Sequence, residues 1–199
     1  ESMGAAVVLL ALADGNSLAA DGAVLIAPAV WGTDTMPWYQ RFSLWLAVRL
    51  MPGKYFSSDT VRRMGKRAND DADIMRELSW EPLVLKGARV DTLHGLSELM
   101  REASRVVSLS APAQILYGLN DQIIPPEPVC NWLGRLTQSS PTGMRIVLYP
   151  DGYHMLTRYS GRARVMADIA AWLRSPGSPP PSGYASGLDE ARAVVCAST

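Results

Sequence analysis

Two hydrophobic textures alternate along the chain. Residues 5–14 are dense in Ala, Leu and Val and free of Pro and internal Gly, which predicts a buried helix ended by the Gly15-Asn16 turn signal. Residues 22–28 (Gly-Ala-Val-Leu-Ile-Ala-Pro) are a short apolar run, as a parallel strand covered on both faces requires. From about residue 29 to 108 Trp, Met, Arg and Asp become common and the period is helical. Trp38, Phe42, Trp45, Leu46 and Arg49 share one face of a helix stopped by Pro52-Gly53. Ser57-Ser58-Asp59 can cap another short helix, and Leu93, Leu96, Met100 and Ala103 form the stripe of a third that starts near Asp91. The first texture then returns. Residues 113–117 and 145–149 read as strands, and residues 126–136 and 161–173 as helices.

Strand alternating with helix implies parallel βαβ units with right-handed crossovers. The expected fold class is α/β, a mostly parallel sheet carrying a helical insertion. Residues 1–30 and 108–174 would form the core and residues 31–107 the insertion. Residues 175–199 open with a Ser-Pro-Gly-Ser-Pro-Pro-Pro-Ser-Gly tract and are expected to be a disordered tail.

Composition narrows the function classes. The 199 residues are 48% hydrophobic and 19% charged, ordinary for a core-forming chain of one domain, or of one domain with an insertion. Lys plus Arg balance Asp plus Glu at a formal net charge of zero, which leaves no electrostatic footprint for nucleic acid. Cys130 and Cys196 stand far apart without CxxC spacing. A disulfide scaffold and a thiolate zinc site are thereby excluded as organising principles, and Cys130 reads as a small core residue. The apolar runs are too short to cross a bilayer. The chain opens on Glu1 rather than Met, so any export signal is expected upstream of residue 1, and the compartment is left open.

Three motifs carry chemistry, and each lies at the edge of a strand or helix. Glu1-Ser2-Met3-Gly4 leads straight into a helix, like the last four residues of a Gly-x-Ser-x-Gly nucleophile elbow. There the backbone N–H of Met3 would be an oxyanion donor. By itself the same string also reads as a helix N-cap serine. Gly118-Leu119-Asn120-Asp121 follows a strand, where a buried acid can orient an imidazole; by itself it is equally a turn. Gly152-Tyr153-His154 follows the next strand, where a histidine can serve as general base. Jointly they give the order Ser, acid, His, with the members at the carboxyl ends of parallel strands, where open α/β sheets hold their sites. Asp151, three residues before His154, is a weaker candidate for the acid.

On these motifs, together with Glu81-Pro-Leu-Val-Leu-Lys86, Arg89-Val-Asp91-Thr92 and Gly118-x-x-Asp121-x-x-x-Pro125, the chain resembles serine hydrolases of the α/β-hydrolase superfamily. It is most similar to the group of monoacylglycerol lipases and lysophospholipases that also includes some proline-type (S33) aminopeptidases. The resemblance runs from Ser2 to about Arg174. It implies Ser2 as nucleophile, Asp121 as acid, His154 as base and residues 31–107 as a cap. It implies no metal or organic cofactor, and a lipophilic ester as small-molecule substrate. It also implies an upstream half with the His-Gly oxyanion loop and the first strands, so this chain alone is expected to be catalytically inert. A peptidase, thioesterase or perhydrolase with the same three residues, and a non-catalytic binding protein of the same fold, are the alternatives.

Other features fit plainer roles. Asn69-Asp70-Asp71-Ala72-Asp73 lacks the glycine and terminal Glu of a calcium loop and reads as a solvated helix start. His94 reads as a surface histidine. The Trp38/Phe42/Trp45 face suits contact with an acyl chain or a membrane interface, and equally packing of the insertion on the core. The oligomeric state is not legible.

Overall fold

Three of the apolar runs pair as parallel strands, with helices over both faces. The computed structural model describes residues 1–13, 19–57, 65–136 and 143–199. Its elements follow in the order α1 (Met3–Ala11), β1 (Ala23–Ile26), α2 (Trp38–Leu50), β2 (Tyr55–Ser57), α3 (Ala72–Trp80), β3 (Gly87–Arg89) and α4 (Val90–Ala103). Then come β4 (Ala113–Gly118), α5 (Pro126–Leu133), β5 (Arg145–Tyr149), α6 (Arg162–Arg174), β6 (Ala185–Ser186) and α7 (Leu188–Cys196). The Gly15-Asn16 turn and the cap expected at Ser58-Asp59 lie outside the described residues.

The main sheet has the order β1-β4-β5-β6, with Leu25 opposite Ile115 and Ile115 opposite Ile146 in parallel register. Every residue of β4 is buried, as expected of a central strand with helices on both sides. Leu25, Ile115, Tyr117, Ile146 and Leu148 join Leu9 of α1, Met100 of α4 and Trp132 of α5 in the larger core. Leu116, Val147 and Tyr149 point the other way, onto Leu156, Tyr159 and Val165 of the α6 side. Between β1 and β4 the described residues are mostly helical, with an antiparallel β2–β3 pair among the helices. In α3 the Asp71 side chain accepts from the N–H groups of Asp73 and Ile74, so the acidic run is a helix start.

The tail is a correction. Residues 175–199 are ordered against the core. β6 pairs antiparallel with the edge of β5, and α7 buries Ala191 and Val195. The physical reason is an apolar stripe at Leu188, Ala191 and Val195, spaced for one helix face, which lies behind the Pro- and Gly-rich tract that dominates the composition. The fully buried Asp168 of α6 anchors the approach, accepting from Tyr149 OH at 2.7 Å and from the Ser182 N–H at 2.9 Å. Burial, then the hydrogen bond to Asp168, pushes the Tyr149 phenol far above its ordinary value. Cys130 of α5 and Cys196 of α7 form a disulfide, with Cα atoms 5.0 Å apart, so Cys130 is more than a core filler. Two cysteines without a spacing motif give no sequence signal for that pairing.

The disulfide closes a 66-residue loop, and loop entropy alone assigns it roughly 4 kcal/mol. Cys196→Ser should therefore lower the free energy of unfolding by up to that amount in urea titration. Alkylation of the denatured chain should add label only after reduction.

Candidate active site

Ser2 stands at the point where the chain turns into α1. Its φ of 51° lies in the left-handed region that non-glycine residues seldom adopt, as expected of a strained turn that projects one side chain. Two backbone bonds hold it against the end of β1: Ser2 N–H donates to Ile26 O at 2.8 Å, and Ala29 N–H to Ser2 O at 3.2 Å. Ala27, just past β1, also has positive φ, at 44°, which nothing in the sequence signals. Met3 is the first residue of α1, in the turn whose N–H groups have no acceptor inside a helix.

The loops after β4 and β5 meet backbone to backbone. Leu119 N–H donates to Tyr149 O at 3.0 Å, and Asn120 N–H to Gly152 O at 2.9 Å. The approach depends on Gly118 and Gly152: a Cβ on Gly118 would lie 2.4 Å from the carbonyl of Gly152. Asp121 then sits almost fully buried in its own turn. Its Oδ1 accepts from the N–H groups of Ile123 at 2.8 Å and Ile124 at 2.9 Å, and Tyr117 OH donates to Ile124 O at 2.9 Å. Burial, with the nearby Asp121 carboxylate, pushes the Tyr117 phenol far above its ordinary value, so it stays a neutral donor.

The remaining oxygen of Asp121, Oδ2, lies 2.7 Å from His154 Nδ1, and His154 Nε2 lies 2.9 Å from Ser2 Oγ. A carboxylate only accepts, so Nδ1–H donates to Asp121 and Nε2 is left to accept from the serine hydroxyl. His154 is 8% exposed and Asp121 3%, so the pair is shielded from bulk water. The structure thus brings together Ser2, Asp121 and His154, from three distant stretches of sequence. Such a relay can accept a hydroxyl proton and stabilise the imidazolium that results. Asp151 takes no part in it. Its carboxylate faces Tyr159 OH at 3.4 Å and Arg164 at 3.5 Å.

The other singled-out residues are elsewhere. His94 is half-buried and lines a cleft of about 400 Å³ together with Thr33, Trp38, Arg41, Phe42, Leu44, Trp45, Ser97 and Glu98. Trp38, Phe42 and Trp45 are largely exposed, with Phe42 stacked on Trp45. Among the described residues no group of three or more His, Cys, Asp or Glu is placed to hold a metal ion. No helix among them is long and apolar enough to cross a membrane.

Comparison with known proteins bears on the family and the fold. The model of the family described as serine aminopeptidase, S33, matches residues 1–159. No curated protein matches the chain. Among solved structures, a monoacylglycerol lipase from Paleococcus ferrophilus superposes with a TM-score of 0.69 at 20% identity, over 88% of this chain and 66% of that one. A soluble variant of monoglyceride lipase from Saccharomyces cerevisiae, in complex with a substrate analogue, gives 0.66 at 17% identity, over 88% and 63%. The esterase EaEST from Exiguobacterium antarcticum gives 0.58 at 14%, over 87% and 65%. At these identities the likeness establishes the fold, a partial α/β-hydrolase core. The chain spans about two thirds of the length of each of these structures.

Gly118→Ala should cost on the order of 1–3 kcal/mol in thermal or urea unfolding, because its Cβ would overlap backbone that cannot move without parting the two loops. Gly4→Ala, whose Cβ meets nothing within 4 Å, should change stability far less.

Proposed function

Because the chain belongs to the serine aminopeptidase S33 family of hydrolases, we propose that its protein is a serine carboxylic-ester hydrolase of the monoacylglycerol lipase or lysophospholipase kind, working through an acyl-enzyme. The observation that carries this reading is the unbroken hydrogen-bonded line from Asp121 through His154 to Ser2. His154 Nε2 takes the Ser2 proton as Oγ attacks the ester carbonyl, and Asp121 stabilises the imidazolium. The carbonyl oxygen becomes an oxyanion facing the Met3 N–H. Collapse of the adduct breaks the ester bond, and His154 returns the proton to the leaving alcohol. Water then attacks the acyl-enzyme with the same general base, releasing the carboxylic acid and restoring Ser2.

Residues 31–107 would be a cap over this site. Its cleft, walled by Trp38, Phe42, Leu44 and Trp45, suits a lipophilic substrate. Thr33 of this cleft follows four residues after Ala29, whose N–H donates to Ser2 O, so the chain that leaves the serine's backbone contact leads into the cleft wall. The exposed Trp38, Trp80, Leu83 and Leu85 would let the same cap rest on a lipid interface. An aminopeptidase needs a free carboxylate for the substrate amine. The acid of this cleft, Glu98, is already paired with Arg101 at 2.6 Å, which favours the ester reading.

With the protein at its natural length, a fluorophosphonate probe should label Ser2 alone among the serines. Ser2→Ala should lower p-nitrophenyl butyrate turnover by on the order of 10⁶. Asp121→Asn should cost about 10⁴, as loss of the orienting acid does, while Asp151→Asn stays within about threefold of wild type. Turnover of Ser2→Ala within tenfold of wild type would overturn the assignment.

Replacing Trp38, Phe42 and Trp45 together by Ser should raise KM for a long-chain monoacylglycerol more than for the short-chain ester. Equal effects on both would remove the cleft from substrate binding.

A further inference from the structure

Both loops of the candidate site are held from outside by one short stretch of the helical insertion. Arg67 N–H donates to Gln122 Oε1 at 2.9 Å, beside Asp121. Met155 N–H, next to His154, donates to Ala68 O at 3.0 Å. Asp70 receives both polar hydrogens of Ser160, its Oδ1 taking the N–H at 3.0 Å and its Oδ2 the hydroxyl. Ser160 directly follows the turn that starts at Met155, closed by the N–H groups of Arg158 and Tyr159 on Met155 O.

Asp70 is itself rigidly presented. The next residue, Asp71, caps α3, and its own N–H donates to the side chain of the buried Asn69 at 3.0 Å. Burial would raise the Asp70 carboxyl, but the hydrogen bonds from Ser160 and the neighbouring backbone outweigh it and hold the group below the usual carboxylate range. His154 sits in a loop outside the sheet ladder, between the Asp121 carboxylate and the Ser2 hydroxyl. A helical turn free to shift by an ångström would carry the ring out of reach of one of them.

We infer that Asp70 is a positioning residue for His154: through Ser160 and the 67–70 strap it locks the turn after the histidine, so that the ring meets Asp121 and Ser2 together. The inference rests on the proposed hydrolase reading. It gives residues 67–70 a role besides leading into α3, that of a brace between the cap and the base. The Asp70–Ser160 contact spans 90 residues of sequence and the Arg67–Gln122 contact 55, so no local rule of folding requires either.

The test uses the protein at its natural length with the variants Asp70→Ala, Ser160→Ala, Ser160→Thr and Ser2→Ala. Asp70→Ala should lower kcat for a short-chain ester by about tenfold or more, towards the ~10²-fold that misplacement by about 1 Å brings, with KM nearly unchanged. Ser160→Thr keeps both donors and should stay near wild type. In proton NMR the far-downfield imidazole Nδ1–H signal of the His154–Asp121 pair should broaden or vanish in Asp70→Ala and persist in Ser160→Thr. This reading is independent of turnover. A cooperatively folded Asp70→Ala with wild-type kcat and an unmoved imidazole signal would overturn the inference, as would an effect on KM alone. If Asp70→Ala does not fold, Ser160→Ala, which removes one surface hydroxyl, decides by the same two readouts. Full activity in Ser2→Ala would instead overturn the hydrolase reading, while the NMR signal still judges the strap.

Discussion

At the ends of β4 and β5 the backbones of Gly118 and Gly152 touch, and the rest of the site is built outward from that contact. Parallel pairing puts the carboxyl ends of both strands on one side of the sheet, so the two loops emerge together. Side chains at the two positions would force them apart. With hydrogen there instead, Asn120 and Leu119 bond across, Asp121 folds into its own turn, and His154 arrives within 2.7 Å of it. β1 lies on the other side of β4, and its end holds Ser2 by backbone alone. The geometry around Ser2 is thus set by main-chain atoms, with few side chains to be chosen.

Much of this could be read from the chain because the relevant signals are local. Apolar runs of strand length mark β1, β4 and β5, and Gly-x-x-Asp and Gly-Tyr-His mark their ends. Order along the chain then joins Ser2, Asp121 and His154. What could not be read depends on partners distant in sequence. The strap from Arg67 to Asp70 runs into the helix start read at residues 69–73; nothing in Asn-Asp-Asp announces Ser160. The pairing of Cys130 with Cys196 has no spacing rule. Positive φ at Ala27 belongs to a residue type that gives no warning of it.

The tail shows a different failure, in which composition hides periodicity. A Pro- and Gly-rich tract dominates the segment, yet it is only the bridge to β6 and α7. Its final helix lies against α5, which begins where the acid loop ends, at Pro125-Pro126. Order at the end of the chain is therefore continuous with order near Asp121, through α5 and one covalent bond.

The separation of 152 positions between Ser2 and His154 also has a consequence in time. A ribosome adds roughly 5–20 residues per second. Ser2 therefore leaves the ribosome on the order of 10 s before His154 has been translated. Through that interval the growing chain carries an unactivated hydroxyl, no more reactive than any other serine. On the proposed mechanism, activation of Ser2 has to wait until β5 has joined β4 and His154 has been brought to the serine.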